Sequence, residues 1–292
     1  MAGPRVRTVL LVPLLLAMAG AAAVWPARVS ADSDGSALRV CADPKNLPFS
    51  DQQEVGFENK LAALFAAEMG QQVSYTWWAQ RRGYIRNTLK AGKCDVIMGV
   101  PTGLDMVETT RPYYRSTYVF VSRSDRRLDL TSILDPRLRS LKIGVQLIGD
   151  NGFNTPPAHA LAEQGIIDNV VGYTVYGDYR QHDPPARIIE AVERGEIDIA
   201  AVWGPLAGYV GRQSPVELAI APITDTERFA PLAFQFDIAI GVRKGDDQRR
   251  DTLDAVIARN STQIAQILDD CGVPVIAADA RSGGPDNPGP ER

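Results

Sequence analysis

The sequence contains little cysteine and histidine, with three and two residues respectively. No Cys-x-x-Cys-His motif occurs, which excludes a haem attached in the manner of c-type cytochromes. His159 and His182 stand apart, and neither has a cysteine or carboxylate at the spacing of a metal ligand set. An Asp-x-Asp-x-Asp-Gly calcium loop is also missing. The sequence therefore indicates no metal site and no cofactor.

Long apolar segments are missing after residue 31. Within residues 1–31, Arg5 and Arg7 precede an apolar run over residues 9–24, and small residues follow at 29–31. This pattern predicts a secretory signal peptide, because the apolar run is too short and too poorly flanked for a transmembrane helix. We therefore expect an exported, periplasmic protein without a membrane span. The formal net charge of −4 becomes more negative without the arginines of this segment, and nothing suggests nucleic acid binding.

Strand and helix patterns alternate along the rest of the chain, and they recur at a constant offset. The strand predicted at residues 38–43 recurs at residues 141–146. The helix end and strand around Gly92 recur around Gly195. A repeat of about a domain's length indicates two lobes of one topology. Alternating strands and helices predict that each lobe is an α/β unit with a mainly parallel sheet.

These patterns predict a two-lobed type II periplasmic binding protein fold. Two chain crossings, near residues 120–126 and 231–236, would form a hinge between the lobes, and the cleft between them is the expected ligand site. The predicted boundaries are 1–31 for the signal peptide, 32–124 and 236–280 for lobe 1, 125–235 for lobe 2, and 281–292 for a disordered tail rich in glycine and proline.

The cysteines can form a disulfide, because an exported protein folds in an oxidising compartment. Cys41 and Cys94 lie in or beside strands that should be neighbours in one sheet, and we expect a disulfide between them. If the two strands are staggered by several residues, the Cα atoms are too far apart and two buried thiols are the alternative. Cys271 is expected to be free.

Six short motifs resemble the quinoprotein-dehydrogenase-associated, binding-protein-like family, which comprises accessory J proteins (MoxJ and XoxJ types) encoded with PQQ-dependent methanol dehydrogenases. The motifs are Leu38-Arg-Val-Cys-Ala-Asp43, Leu47-Pro-Phe49, Gly56-Phe-Glu-Asn59, Tyr75-Thr-Trp-Trp78, Cys94-Asp-Val-Ile-Met-Gly99 and Arg111-Pro-Tyr-Tyr-Arg-Ser116. The family belongs to the type II solute-binding proteins. The resemblance implies an accessory role toward a PQQ-dependent methanol or alcohol dehydrogenase, in maturation or activation by direct contact.

The sequence departs from amino-acid receptors of the same fold. Those receptors usually have an aspartate where Asn59 stands, and they place an arginine shortly after a crevice threonine to hold the ligand carboxylate. Thr102 is followed by no basic residue until Arg111, which comes too late. The receptors also use a carboxylate of lobe 2 for the ligand ammonium, whereas residues 200–205 contain no acid. Because unpaired buried charges are costly, we expect no binding of free amino acids.

Aromatic and basic residues are instead predicted around the cleft, together with polar strand ends. They suit a planar or anionic ligand, or a loop of a partner protein. The alternatives are that one tryptophan of the adjacent Trp77-Trp78 pair belongs to the core, and that the arginines are a solvated start to a helix. The candidate cleft residues are Asp43, Phe49, Trp78, Arg81, Arg82, Tyr84, Pro101, Thr102, Gln146 and Trp203.

Two other functions are weighed against the accessory role. One is a transporter receptor for a small organic solute other than an amino acid. The other is an enzyme on this fold, similar to a cyclohexadienyl dehydratase, but the sequence offers no paired carboxylates or activated nucleophile for it. We therefore expect a protein without catalytic activity.

Overall fold

The computed structural model describes residue 3 and residues 37–148, 154–175, 179–180 and 183–277. The predicted signal peptide and the predicted tail lie outside the described residues, apart from residue 3. The strands are β1 Ala37–Ala42, β2 Lys45–Asn46, β3 Ser50–Asp51, β4 Gln72–Trp77, β5 Val96–Pro101, β6 Glu108–Thr109, β7 Tyr114–Arg123, β8 Ile143–Leu147, β9 Val170–Thr174, β10 Ile199–Trp203, β11 Leu218–Pro222 and β12 Gln235–Val242. The helices are α1 Phe57–Glu68, α2 Tyr84–Asn87, α3 Pro156–Glu163, α4 Arg187–Glu193, α5 Gly204–Gln213, α6 Asp247–Arg259 and α7 Ser261–Asp270.

The strands form two structurally similar halves. In the first half the order is β4-β1-β5-β12, with β1 parallel to both of its neighbours and β12 antiparallel to β5. In the second half the order is β9-β8-β10-β7, with β8 parallel to both of its neighbours and β7 antiparallel to β10. Each half therefore has a mainly parallel sheet with an antiparallel strand on one side, as expected for a type II periplasmic binding protein.

The constant offset in the sequence corresponds to equal strand registers. Val40 of β1 pairs with Val96 of β5, and Ile143 of β8 pairs with Ile199 of β10. Ile143 follows Val40 by the same number of residues as Ile199 follows Val96. The sequence repeat thus records the register of two corresponding parallel strand pairs.

The hydrogen-bonded ladder passes from one half to the other through the long strand β7. Residues Tyr114–Thr117 pair with β12, whereas Tyr118–Ser122 pair with β10. The change of partner therefore lies at Thr117–Tyr118, before the predicted boundary at residue 124. Because β7 is long, its first residues can pair with a strand of the first half while its later residues pair with a strand of the second half.

Helix α1 shows how the sequence builds the core of the first half. Phe57, Leu61 and Phe65 recur at helical spacing and are fully buried against β1 and β5. The chain leaves the helix at Gly70, whose φ of +67° is costly for other residues, and the Gln71 amide donates to the Ala66 carbonyl. Burial of each large side chain contributes roughly 1.5–3 kcal/mol.

The second half has apolar clusters of its own on the two faces of its sheet. One contains Leu138, Ile143 and Leu161, and the other contains Ile188 and Val202. The sheet of the second half is therefore packed with apolar side chains on both faces. The carboxyl ends of the parallel strands β1, β5, β8 and β10 supply residues to one region, which is where open α/β sheets place their ligands.

Candidate functional site

A cavity of about 260 Å³ lies between the two halves. Four of the ten candidate cleft residues line it, namely Phe49, Pro101, Gln146 and Trp203. They come from the loop after β2, the end of β5, β8 and the end of β10. The structure thus brings together residues that the repeat places at corresponding strand ends.

Aromatic rings form much of the cavity wall. The Trp203 ring lies 5.2 Å from that of Tyr118 and 5.8 Å from that of Phe236, both in edge-to-face contact. Phe49 and Tyr114 also line the cavity, and both pack on the buried ring of Phe57. These contacts fix the rings against one another, so the wall is rigid and offers aromatic faces and edges to a ligand.

Glu58 in the first turn of α1 is a cavity residue that the sequence analysis misses. Its carboxyl lies so close to Gly99 that a Cβ atom there would be 2.0 Å from Oε1. Gly99 also has a φ of +69°, so two constraints favour glycine at this position. Among the described residues, none forms a hydrogen bond or an ion pair with this carboxyl. Burial raises the pKa of Glu58 to about 8.

The burial around Glu58 also affects neighbouring tyrosines. Tyr113 and Tyr114 have pKa values well above the ordinary tyrosine value, first because of burial and second because of the Glu58 charge. Both hydroxyls therefore remain protonated across the usual pH range. The carboxyl thus sits in a poorly solvated, aromatic environment.

The other polar groups of the cavity are already engaged. The Gln146 Oε1 atom accepts from the Trp203 amide at 3.0 Å, and the Thr155 hydroxyl donates to the Gln146 carbonyl at 2.6 Å. The Asn46 side-chain amide donates to Gln80 Oε1 at 3.2 Å. Gln146 therefore holds β8 and β10 together at the base of the cleft, and Glu58 is the lining side chain with most free hydrogen-bonding capacity among those described.

Asp43 is buried and does not line the cavity. Its carboxylate accepts from the backbone amides of Lys45 at 2.8 Å and Gln80 at 2.7 Å, and from the Tyr179 hydroxyl. The guanidinium of Arg81 lies 5.0 Å from the Tyr179 ring centroid. Asp43 and Arg81 therefore act together to hold a residue of the second half against the first.

The remaining candidates do not form one aromatic and basic surface with Trp203. Tyr84 is buried among Leu89 and Ile97 beside the cysteine pair, because α2 turns this ring toward the interior. Trp78 is 38% exposed and lies under the Lys93 ammonium, 4.3 Å from its ring centroid. The neighbouring Trp77 packs on the core, as the strand alternation suggests.

Arg82 and Thr102 are exposed and do not line the cavity. The Thr102 amide donates to the Asp237 carbonyl at 2.9 Å. No arginine or lysine is found among the described lining residues. The cavity therefore has no group in the described chain that could clamp an amino-acid carboxylate.

Cys41 and Cys94 form a disulfide with their Cα atoms 5.5 Å apart. The strand register alone would separate them, because Ile97 of β5 pairs with Cys41 and Cys94 comes three residues earlier. Cys94 lies outside the strand, where the chain bends, and this brings it within reach of the bond. Cys271 is free and buried. In the part of the chain that the structure describes, no group of three or more His, Cys, Asp or Glu side chains could hold a metal ion, and no helix could span a membrane.

Comparison with known proteins identifies the family. Residues 38–270 match the model of the bacterial extracellular solute-binding proteins, family 3. Protein MoxJ of Methylorubrum extorquens is 33% identical over 260 residues, which cover 85% of this chain and 84% of the relative. Protein MoxJ of Paracoccus denitrificans is 32% identical over 276 residues, which cover 88% and 95% respectively.

Solved structures show the same relationship. The periplasmic binding protein XoxJ from Methylobacterium extorquens AM1 is 33% identical, with a TM-score of 0.68, and MxaJ from Methlophaga aminisulfidivorans MPT is 26% identical, with a TM-score of 0.71. Each match covers 82% of this chain and 100% of the other. The resemblance expected from the motifs is confirmed. The chain belongs to family 3 of the bacterial extracellular solute-binding proteins.

Proposed function

We propose that this protein is a periplasmic, non-catalytic accessory factor of a PQQ-dependent methanol or alcohol dehydrogenase. It assists maturation or activation of that enzyme by direct contact. The observation that carries the proposal is the similarity to MoxJ and XoxJ proteins along nearly the whole described chain. The N-terminal pattern of an exported protein and the extracellular character of the family support a periplasmic location.

The cavity supports a role other than amino-acid capture. A receptor for a zwitterion needs converging charged groups, because each ligand charge loses its water on binding. The described lining offers Glu58 and no arginine or lysine. In the proposed contact, the partner approaches the surface outside the cavity, where exposed Trp78, Arg81 and Arg82 provide residue types that dominate binding energies at protein interfaces.

A pull-down of a PQQ-dependent methanol or alcohol dehydrogenase from the same organism tests the proposed contact. Wild-type protein should retain the enzyme, and a Trp78→Ala/Arg82→Ala double variant should retain at least tenfold less of it. Arg86→Ala is the matched control, because Arg86 is an exposed arginine of α2 close to the altered residues. A folded double variant that captures the enzyme as well as the control would remove this surface from the proposal.

The cavity itself favours a second candidate, a transport receptor for a small organic solute that is not an amino acid. Its volume of about 260 Å³ and its aromatic wall suit such a ligand. The genes next to this one separate the two roles. A permease and an ATPase would favour transport, whereas a dehydrogenase and a c-type cytochrome would favour the accessory function.

A further inference from the structure

We propose that the cavity binds a small organic cation, an alkylammonium or quaternary ammonium compound, between the Glu58 carboxylate and the aromatic wall formed by Tyr118, Trp203 and Phe236. This inference concerns the cavity of the isolated protein and does not depend on the dehydrogenase. The ligand could serve a transport receptor or could regulate an accessory factor, and the chemistry of recognition is the same in both cases.

The aromatic wall is the first argument. Five rings of the described residues line the cavity, from Phe49, Tyr114, Tyr118, Trp203 and Phe236. An aromatic face attracts a cation through its quadrupole, and this attraction is stronger where water is excluded. Apart from Tyr118, these rings are covered by no lysine or arginine of the described lining, unlike Trp78, which Lys93 covers on the outside. A cation that comes from a ligand can therefore contact them.

The Glu58 carboxyl is the second argument. It faces a cavity whose described lining has no other acidic and no basic side chain, and none of the described residues forms an ion pair with it. Gly99 leaves the space that the carboxyl occupies, because any Cβ atom would overlap with Oε1. The position of Glu58 in the first turn of the 12-residue helix α1 also favours a negative charge on its side chain. A cationic ligand would supply the missing counter-charge.

Other ligand charges fit this cavity poorly. An anion would lose its hydration and find no positive side chain in the described lining to pair with. A zwitterionic amino acid would satisfy Glu58 through its ammonium group but would leave its own carboxylate unpaired. The lining therefore selects for a compound with one positive charge and an apolar remainder.

Binding of such a cation should depend on pH in a defined direction. Burial raises the pKa of Glu58 to about 8, so the carboxylate that pairs with the cation is a minor species at neutral pH. A cation binds the ionised form, and the apparent affinity is reduced by the fraction in that form. This gives an increase of about 30-fold in affinity between pH 6.5 and pH 9, with uptake of the ligand accompanied by proton release.

The test is calorimetric titration of the mature protein with choline and with its uncharged isostere, 3,3-dimethylbutan-1-ol. We expect choline to bind at least tenfold more tightly than the alcohol at pH 9, and to lose that advantage at pH 6.5. Glu58→Gln should abolish the preference for choline and its pH dependence. Phe236→Leu keeps the site apolar but removes a ring. This variant should weaken the binding of choline more than the binding of the alcohol.

Glu68→Gln is the matched control, because Glu68 is an exposed glutamate at the other end of α1. It should bind choline as wild type does. Thermal unfolding of each variant shows that it is folded. The proposal is overturned if neither compound binds wild type, if both bind equally at pH 9, or if folded Glu58→Gln protein keeps the preference for choline.

Discussion

The Tyr179 hydroxyl donates a hydrogen bond to the buried carboxylate of Asp43, and the two residues are 136 positions apart in the chain. Asp43 follows β1 of the first half, whereas Tyr179 lies between β9 and α4 of the second. The Lys45 ammonium donates to the Tyr179 carbonyl at 2.8 Å, and Arg81 lies over its ring. One residue of the second half is thus held by three residues of the first beside the cavity.

We predict that Tyr179→Phe lowers the free energy of unfolding by about 1–2 kcal/mol, because it leaves the buried Asp43 with one hydrogen bond fewer. The pKa of Tyr179 is raised, chiefly by burial and by its bond to Asp43, so the hydroxyl remains a donor throughout the usual pH range. Urea unfolding measures the effect. Tyr209→Phe is the control, since this tyrosine is likewise partly buried and its hydroxyl has no hydrogen-bond partner among the described residues. An equal loss in both variants would contradict the assigned role.

The disulfide provides a second prediction. Cys41 and Cys94 enclose a loop with a sequence separation of 53, so removing the bond by Cys41→Ala/Cys94→Ala should lower stability by about 2–4 kcal/mol. Thiol titration of unfolded, unreduced protein should find one reactive sulfhydryl, from Cys271. Three reactive sulfhydryls would show that the pair is not bonded in the exported protein.

Glu58 should make stability depend on pH. Its pKa rises from 4.5 in the unfolded chain to about 8 in the folded protein, so the folded state holds a proton that the unfolded state has released between these values. Stability therefore falls as pH rises through this window and is constant above it. Because a glutamine has no charge to desolvate, Glu58→Gln should be more stable than wild type above pH 8, by at most about 5 kcal/mol.

Chemical unfolding of both proteins at pH 5 and pH 9 tests this difference. The two proteins should be similar at pH 5 and should diverge at pH 9. Glu68→Gln should follow wild type at both values because its side chain is exposed. If the free energies of unfolding of wild type and Glu58→Gln differ by the same amount at pH 5 and pH 9, the carboxyl does not titrate in this range.

We further predict that no standard amino acid binds with micromolar affinity. The described lining has no arginine or lysine for a carboxylate, and residues 200–205 supply no acid from the second half. A thermal-shift screen of the free amino acids at pH 7 should show no stabilisation beyond that produced by equal concentrations of salt. A clear shift with any of them would show that the cleft retains amino-acid recognition.

Much of the fold follows from local pattern. The repeat around Gly92 and Gly195 predicted two similar halves, since helix ends and buried strands carry strong signals. The role of β7 was not predictable in the same way, because a strand that exchanges partners at Thr117–Tyr118 has the same alternation as one that does not. Long-range pairing, and not local preference, determines that change.

The site was predicted less completely. Phe49, Pro101, Gln146 and Trp203 were found because they follow or end predicted strands. Glu58 was missed although its motif was noted, because a charged residue early in a helix usually faces solvent, and only the approach of Gly99 reveals otherwise. The inward direction of Tyr84 likewise depends on how the short helix α2 sits on the disulfide.

The central claim is the accessory role, and the activity of the dehydrogenase tests it most directly. The PQQ-dependent dehydrogenase of the same organism would be purified from cells with an intact gene for this protein, from cells without it, and from cells complemented by the wild-type gene. The account predicts that enzyme from the deletion strain has at least tenfold lower specific activity per PQQ-binding site, and that complementation restores it. Fully active enzyme from the deletion strain would contradict the account.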